Sequence, residues 1–203
     1  MKLNQVKVGI SNRHLHLCQN DLEILFGKNY QLNFKQNLTQ PEQFAAQETV
    51  SLIGPRGEIE AVRVVGPVRS FTQVEISLTD ARHLGIKPPL RLSGDLTNSL
   101  GITIVGTVGQ LTLNSGVIIA KRHLHLHSSQ ALALGLSAGQ AVSIACEGER
   151  ALVFHQVIVR PGDKHQAEFH LDTDEANAAN LANGDLVTIL LQEWSSKNFK
   201  FNY

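Results

Sequence analysis

The sequence predicts a mainly β protein with short α-helices, arranged as two similar halves in tandem. Along the 203 residues, short apolar stretches rich in β-branched residues recur and are separated by glycine and proline. The helical segments between them are brief, and the phrase Arg-His-Leu-His-Leu occurs twice, at residues 13–17 and 122–126. Many short strands with few helices are typical of β-barrels or β-sandwiches. A phrase repeated 109 positions apart suggests that each half contains the same unit.

The strands are predicted from apolar alternation, or from short apolar runs that end at turn residues. Alternation is clear at residues 6–10, Val-Lys-Val-Gly-Ile, and at 141–145, Ala-Val-Ser-Ile-Ala. The same criteria predict strands at 48–53, 59–65, 74–78, 102–105, 116–120, 152–159, 167–171 and 186–191. Residues 54–57, Gly-Pro-Arg-Gly, separate two of these strands and predict a hairpin turn.

Four short helices are predicted in two matching pairs. Residues 19–26 and 129–134 each follow one copy of the histidine phrase. Residues 79–84 and 174–181 each lie at a Thr-Asp dipeptide that ends a predicted strand. The matching order of strand and helix in the two halves supports the duplication.

The two His-x-His pairs are the strongest indication of chemistry. Side chains alternate along a strand, so both histidines of a pair lie on the same face. A single pair means little, but two pairs in matched context, His14 with His16 and His123 with His125, indicate a transition-metal site, with zinc favoured. The alternative is a symmetric polar layer in the core that is satisfied by hydrogen bonds.

The repeat extends beyond the histidines and suggests a third donor in each half. Residues 73–81 have counterparts from residue 166 onward, offset by 93 positions rather than 109, so an extra loop is predicted at 40–47. In this alignment Glu75 matches Glu168, and Ser77 matches His170. Glu75 and His170 are therefore predicted as further ligands, because three protein ligands with an open position are typical of catalytic zinc.

Duplicate halves usually place a shared site between them, which predicts a dinuclear metal site between two pseudo-symmetric units. The units are predicted to cover residues 1–112 and 113–203, and exchange of strands between them is left open. Neither a linker nor a low-complexity segment marks the boundary.

The composition excludes several other classes of protein. Basic and acidic residues number 18 each, without a basic run, which argues against nucleic-acid binding. The two cysteines, Cys18 and Cys146, are far apart, which favours free thiols in a reducing cytoplasm. The apolar runs are too short to span a membrane. The aromatic-rich residues 192–203 are predicted either to pack on the chain or to mediate homo-oligomer formation.

Several other residues have two interpretations. Cys18 and His127 continue the same-face spacing past each pair, which makes them possible ligands, but each precedes a predicted helix and the N-cap position is favoured. His83, His155 and His165 lack patterned partners and are predicted to be surface or structural residues.

Longer phrases connect the chain with a known family. They are Val-Gly-Ile-Ser-Asn-Arg-His-Leu-His-Leu, Gly-Pro-Val-Arg followed by Thr-Gln-Val-Glu-Ile-Ser, Arg-Leu-Ser-Gly-Asp-Leu, the second Arg-His-Leu-His-Leu, and His-Leu-Asp-Thr-Asp-Glu-Ala-Asn. Together they resemble the PduL-type phosphate propanoyltransferases, or phosphotransacylases, over residues 6–191. The resemblance implies two β-barrel units capped by short helices, two zinc ions between them, and reversible exchange of an acyl group between coenzyme A (CoA) and phosphate. Propanoyl and acetyl are the acyl groups expected.

The resemblance also implies roles for individual residues. The family's zinc ligands match His14, His16, Glu75, His123, His125 and His170. Its phosphate-binding arginine matches Arg69, which would otherwise be assigned to a solvated strand end, as would Arg56 and Arg63. Contacts to CoA match Ile10, Ser11, Asn12, Arg56, Arg63 and Asn177. Of these, Arg56 lies in a loop that varies in the family.

These residue types suit attack of phosphate on a thioester. One metal can polarise the carbonyl oxygen, and a second can hold phosphate or the departing sulfur. An arginine binds phosphate through its planar guanidinium group. No Ser-His-Asp set stands out, so direct attack in a ternary complex is predicted rather than an acyl-enzyme. Cys18 is the alternative nucleophile, at a position where the family usually has Ser or Thr.

Two other classes of function remain open. A dinuclear zinc thioesterase or phosphoesterase would use the same ligands without needing a phosphate-gripping arginine. A non-enzymatic metal-binding module would hold zinc without turnover. Family members that enter bacterial microcompartments often carry an amphipathic N-terminal extension, and only residues 1–5 precede the first strand here. A free cytoplasmic enzyme is therefore predicted, and association with a microcompartment is left open.

Overall fold

The computed structural model describes residues 2–191. Within that range, the elements in chain order are β1 (Gln5–Ser11), β2 (His14–His16), α1 (Gln19–Phe26), β3 (Phe34–Asn37), β4 (Phe44–Ile53), β5 (Glu58–Gly66), β6 (Gln73–Glu75), α2 (Leu78–Leu84), β7 (Leu90–Arg91), β8 (Thr103–Val105), β9 (Gln110–Thr112), β10 (Val117–Ala120), β11 (His123–His127), α3 (Ser128–Ala133), β12 (Ala141–Cys146), β13 (Leu152–Gly162), β14 (Glu168–Asp172), α4 (Thr173–Ala179) and β15 (Leu186–Leu190). None of these helices has the length and apolarity that a membrane crossing requires.

The strands form two sheets, one of which is a closed barrel. The barrel has the strand order β1-β14-β11-β13-β12-β15. The second sheet has the order β7-β10-β6-β2-β5-β4-β8-β9, with β3 beside β4. This sheet curls toward closure, and an isolated antiparallel bridge joins Leu100 to Val117. The predicted fold class, mainly β with short helices and tandem barrel units, is confirmed.

The strands that precede the two histidine phrases are exchanged between the sheets. β1 lies in the barrel, parallel to β14 and antiparallel to β15. β10 lies in the second sheet, parallel to β6 and β7. The chain therefore passes from one sheet to the other between β1 and β2, and again between β10 and β11. The division into units at residues 112 and 113 stays a prediction.

The leucines of the histidine phrases anchor each crossing in a hydrophobic core. Leu15 and Leu17 are fully buried in the core of the second sheet, and Leu124 and Leu126 are fully buried in the core of the barrel. Successive side chains of a strand point to opposite faces, so the histidines between these leucines point away from the cores. The phrase therefore fixes its strand by the leucines and leaves the imidazoles for the space between the sheets.

Most predicted elements are present, with ends that differ by a few residues. The Gly-Pro-Arg-Gly segment is a hairpin turn in which the Gly54 N–H donates to the Gly57 carbonyl over 2.9 Å. Two predictions are wrong in extent. Residues 76–78 leave the strand because Ser77 caps α2, and residues 44–47 belong to β4 rather than to an extra loop. β3, β7 and β9 were missed because they are short and mostly exposed.

The structural repeat also corrects the predicted alignment of the two halves. His14 pairs with Glu75 across β2 and β6, and His123 pairs with His170 across β11 and β14. Glu75 therefore matches His170 and not Glu168, so the predicted alignment is wrong by two residues. Similar Gln-x-Glu phrases at 73–75 and 166–168 caused the error. Alternation cannot detect such a slip, because a shift of two residues leaves every side chain on the same face of the sheet.

Candidate metal and anion site

Both histidine phrases open into one cavity between the two sheets. The cavity has a volume of about 650 Å³ and is lined by residues of the barrel and of the second sheet. Each His-x-His pair comes directly after a crossing of the chain from one sheet to the other. The strand exchange is therefore what brings the two pairs together.

The first cluster consists of His14, His16 and Glu75, whose ligand atoms lie within 4.8 Å of one another. The His14 Nε2 lies 3.7 Å from the Glu75 Oε2. The His14 Nδ1 lies 2.9 Å from the Asn12 carbonyl oxygen. The His16 Nδ1 lies 3.0 Å from the Val65 carbonyl oxygen. An Nδ1–H that donates to a carbonyl leaves the Nε2 lone pair free, so Nε2 is the atom that these rings offer to a metal.

The second cluster consists of His123, His125 and His170, whose ligand atoms also lie within 4.8 Å of one another. The Nε2 atoms of His123 and His125 are 3.1 Å apart. The His123 Nδ1 contacts the Lys121 carbonyl oxygen at 2.9 Å, the same arrangement as in the first cluster. The structure thus brings the six predicted ligands together as two sets of three.

His125 differs from His14, His16 and His123 because its Nδ1 faces a side chain rather than a carbonyl. The His165 Nδ1 lies 3.3 Å from the His125 Nδ1 and 2.9 Å from the Arg160 carbonyl oxygen. His165 follows β13 and lines the cavity. It therefore supports a member of the second cluster, a role that no motif in the sequence indicated.

Burial keeps three of the histidines, His16, His123 and His125, neutral. It lowers the pKa of His16 to about 3 and the pKa of His125 to about 2, and it lowers the pKa of His123 as well. Burial alone would raise the pKa of Glu75, but the neighbouring histidines, His14 most of all, together with a hydrogen bond to Ser93, lower it overall. Neutral imidazoles and an ionised carboxylate are the forms in which these groups bind a metal.

The two donor sets fit zinc. Three nitrogens, or two nitrogens with a carboxylate oxygen, are combinations found in catalytic zinc sites. The third donor of each set is also held by the side chain two residues earlier on its strand. Gln73 Nε2 donates to Glu75 Oε1 over 2.5 Å, and Glu168 Oε2 lies 2.5 Å from His170 Nε2. Outer contacts of this kind orient metal ligands.

Arg69 and Arg160 bring positive charge to the cavity. Arg69 follows β5, and its backbone N–H donates to the Leu17 carbonyl over 2.9 Å. Arg160 lies on β13, beside His125 on β11. Burial lowers the pKa of both guanidinium groups and the Glu75 carboxylate raises it, and an arginine remains a cation under such shifts. Of these two arginines, only Arg69 was predicted from the sequence to bind phosphate.

The residues predicted to contact CoA divide into two groups. Ile10, Ser11, Asn12 and Arg63 line the cavity. Arg63 Nη1 also donates to the carbonyls of Ala46 and Gln47, over 3.0 and 2.8 Å, so part of its guanidinium holds β4. Arg56 and Asn177 are exposed, and within residues 2–191 they are not among those that line the cavity.

Cys18 and His127 are the N-cap residues of α1 and α3, as predicted. The His127 ring accepts a hydrogen bond from the Ser129 N–H over 3.2 Å, whereas the Cys18 side chain makes no capping bond. Cys18 is also absent from the lining of the cavity as far as the described chain forms it. It is therefore poorly placed either to bind the metal or to act as a nucleophile.

The arginine of each histidine phrase has a structural partner. Arg13 Nη2 lies 2.8 Å from Asp80 Oδ1, and Arg122 forms an ion pair with Glu175. Asp80 and Glu175 are the N3 residues of the capping boxes that begin α2 and α4. The arginine therefore ties each histidine strand to the helix that follows the third donor.

The similarity to known proteins covers nearly the whole chain. The model of the phosphate propanoyltransferase family matches residues 7–182, a range that includes both clusters. A phosphate propanoyltransferase of Thermotoga maritima is 53% identical over 184 residues, which cover 90% of this chain and 88% of that protein. Another, of Rhodopseudomonas palustris, is 49% identical over 185 residues, with 91% and 82% covered. A third, of Salmonella typhimurium, is 48% identical over 184 residues, with 90% and 87% covered. The chain therefore belongs to the phosphate propanoyltransferase family.

Proposed function

We propose that this protein is a phosphate acyltransferase that moves a short acyl group, propanoyl or acetyl, reversibly between CoA and inorganic phosphate. One observation carries the proposal: both histidine clusters and Arg69 face a single cavity, in a chain of the phosphate propanoyltransferase family. The volume of about 650 Å³ is typical of a small-molecule site.

In the forward reaction, an oxygen of hydrogen phosphate bonds to the acyl carbon while the carbon–sulfur bond breaks. The proton of hydrogen phosphate ends on the sulfur, so the products are acyl phosphate and free CoA. The attack requires phosphate to be held beside the carbonyl. Arg69 suits this task, because a guanidinium group binds two phosphate oxygens as a planar fork.

CoA would enter from the side of β1. Ile10, Ser11, Asn12 and Arg63 line that part of the cavity. Arg56 and Asn177 are exposed outside it and would contact only the outer part of the CoA molecule. Arginine suits the phosphates of CoA for the same reason that it suits inorganic phosphate.

Two zinc ions are the cofactors that we propose. One would be held by His14, His16 and Glu75, and the other by His123, His125 and His170. Zinc in these positions supplies a Lewis acid that polarises the thioester carbonyl and stabilises a thiolate. The neutral state of the buried rings of His16 and His125 and the 3.1 Å approach of the His123 and His125 Nε2 atoms support this assignment.

We propose direct attack by phosphate, with both substrates bound together, rather than an acyl-enzyme. Support comes from Cys18, which sits at the N-cap of α1. Initial rates measured while acyl-CoA and phosphate are varied together should therefore give intersecting lines. Parallel lines together with an acyl group trapped on Cys18 would overturn this order of events.

The alternative function is a zinc thioesterase or phosphoesterase, in which the same clusters would activate water. Following acyl-CoA breakdown with and without phosphate, after metal analysis of the same sample, separates the two. A transferase forms acyl phosphate and stops breaking down acyl-CoA when phosphate is omitted. A hydrolase breaks down acyl-CoA equally fast with and without phosphate. The assay should cover a series of acyl chains, because one methylene changes binding by only about 1–3 kcal/mol.

We also propose that the protein acts on small molecules in the cytoplasm. Cys18 and Cys146 are both free thiols, which suits a reducing compartment. Homo-oligomer formation stays a prediction, because the aromatic segment 192–203 on which it depends lies outside the described residues.

A further inference from the structure

We propose that Arg160 is a second anion-binding residue, which acts with Arg69 to hold phosphate and to favour phosphate over water as the acceptor of the acyl group. This inference rests on the function proposed above and assigns a role to a residue that the sequence did not single out.

The position of Arg160 directs its side chain toward the second cluster. Arg160 is the direct neighbour of His125 in the parallel pairing of β13 with β11. Paired residues of neighbouring strands project to the same face of a sheet. Both residues accordingly line the cavity, as does Arg69 from the other sheet.

The guanidinium groups of Arg69 and Arg160 are half-buried and unpaired within the described part of the chain. Among residues 2–191, neither group has a hydrogen bond or an ion pair. The arginines of the histidine phrases contrast with them, since Arg13 and Arg122 are both paired with carboxylates. Two unpaired cations in one cavity repel each other, and the charge of Arg160 lowers the pKa of Arg69. An anion bound between them would relieve this repulsion and use their free donors.

Each arginine acts on the histidines of a different cluster. The charge of Arg69 acts on His16, and the charge of Arg160 acts on His123 and His125. Glu75 attracts both arginines. An anion held by both arginines would therefore lie where the two clusters face each other, which is also where the acyl carbon must be for transfer.

This arrangement discriminates between the two possible acceptors. Hydrogen phosphate is an anion with several acceptor oxygens, so it gains charge-assisted hydrogen bonds from both guanidinium groups. Water is neutral and gains almost nothing from them. Removal of Arg160 should therefore weaken phosphate use without an equal effect on acyl-CoA.

The test compares Arg160→Gln and Arg160→Lys with the control Arg150→Gln. Arg150 is exposed in the turn between β12 and β13, so its replacement removes the same charge away from the cavity. In Arg160→Gln, the KM for phosphate should rise about ten- to a hundredfold, while the KM for acyl-CoA changes less than about threefold. Arg160→Lys should be intermediate, because it keeps the charge and loses the fork. The control should match the wild type.

Calorimetry measures phosphate binding to the zinc-loaded protein directly and therefore tests the role of Arg160 without relying on turnover. If Arg160→Gln is folded by circular dichroism and binds and uses phosphate as the wild type does, the inference is overturned and the proposed function stands. If the wild type binds phosphate without forming acyl phosphate, and Arg160→Gln loses that binding, the proposed function fails and the anion site stands. If Arg160→Gln does not fold, Arg160→Lys decides by the same measurements.

Discussion

At the residue scale, the cavity combines neutral metal donors with permanent positive charge. His16, His123 and His125 are uncharged because they are buried. Arg69 and Arg160 stay charged because a guanidinium group keeps its proton even when partly buried. The neutral rings suit a metal and the cations suit an anionic substrate, so metal binding and phosphate binding can be separated by mutation.

Arg69→Ala should weaken phosphate use and leave zinc content intact. The loss of a charge-assisted bidentate contact costs about 1.5–3 kcal/mol, which raises the KM for phosphate about ten- to a hundredfold. Steady-state kinetics and elemental analysis of the same sample measure the two effects. Unchanged phosphate kinetics would assign Arg69 to a structural role.

His123→Ala should remove at least one of two zinc ions per chain and most of the activity. His123 is buried, and its ring faces His125 and His170. The matched control is His83→Ala, because His83 is exposed on α2 and, within residues 2–191, its ring has a single hydrogen-bond partner, the Glu58 carbonyl oxygen at 3.0 Å. Elemental analysis gives the metal content. A fully active protein that contains no metal would refute the dinuclear site.

The metal-free protein should lose stability as the pH falls from about 6.5 to about 4.5. The buried rings of His16, His123 and His125 have lowered pKa values and stay neutral in the folded state over this range. Histidines in the unfolded chain gain protons near pH 6.5, so the unfolded state binds more protons and is favoured by acid. Each ring contributes up to about 1.4 kcal/mol per pH unit.

Urea unfolding of chelator-treated protein across this pH range measures the effect. His16→Asn should reduce the pH dependence by about one proton, because one buried ring has been removed. A dependence that is the same in the variant and in the wild type would mean that His16 does not stay neutral in the folded chain.

At the element scale, α2 and α4 each hold a histidine strand in place through one carboxylate. Ser77 and Asp80 form the capping box of α2, and Asp172 and Glu175 form that of α4. In both halves the N3 carboxylate also pairs with the arginine of the histidine phrase. The start of each helix and the direction of each His-x-His pair are therefore coupled.

Asp80→Asn should destabilise the protein by about 1–3 kcal/mol, because it leaves Arg13 without its charged partner and keeps the capping oxygen. The side chain of Asp80 is 5% exposed and that of Arg13 is 37% exposed, so the loss falls short of that for a fully buried pair. Glu42→Gln is the control, since its ion pair with Lys164 is largely exposed. This variant should change the free energy of unfolding by less than about 0.5 kcal/mol. Urea unfolding compares the variants, and equal midpoints would refute the coupling.

At the scale of the whole molecule, the exchange of β1 makes the barrel depend on both ends of the chain. β1 fills the gap between β14 and β15 and contributes Val6 and Val8, which are 0% and 1% exposed. Without β1, the barrel would be open along two strand edges, and part of its core would face water.

A fragment of residues 113–203 should therefore not form a stable barrel, and it should show no cooperative unfolding transition. Coexpression with residues 1–112, or fusion to residues 1–12 through a flexible linker, should restore a folded barrel by supplying β1. Thermal unfolding followed by circular dichroism, together with amide NMR spectra, distinguishes the cases. A sharp transition and dispersed spectrum for the fragment alone would show that β1 is dispensable.

The sequence by itself determined the fold class and pointed to most of the candidate site. Strand periodicity put both histidines of each pair on one face, and the duplication made two pairs significant. Glu75 and His170 were predicted as ligands although the alignment of the two halves is wrong by two residues. The prediction survives because a slip of two residues keeps each side chain on the same face of the sheet. These features depend on local spacing, which a sequence displays directly.

The tertiary structure alone decided which strands pair and what else reaches the cavity. The exchange of β1 and β10 depends on pairing between residues far apart in the chain, and local patterns do not encode such partners. His165 and Arg160 enter the site for the same reason: one follows β13 and the other lies on it, next to His125 in space. Neither lies in one of the histidine phrases, and neither was predicted to belong to the site. Their contribution comes from the closing of the barrel, which sets them beside a strand that precedes them by more than thirty residues.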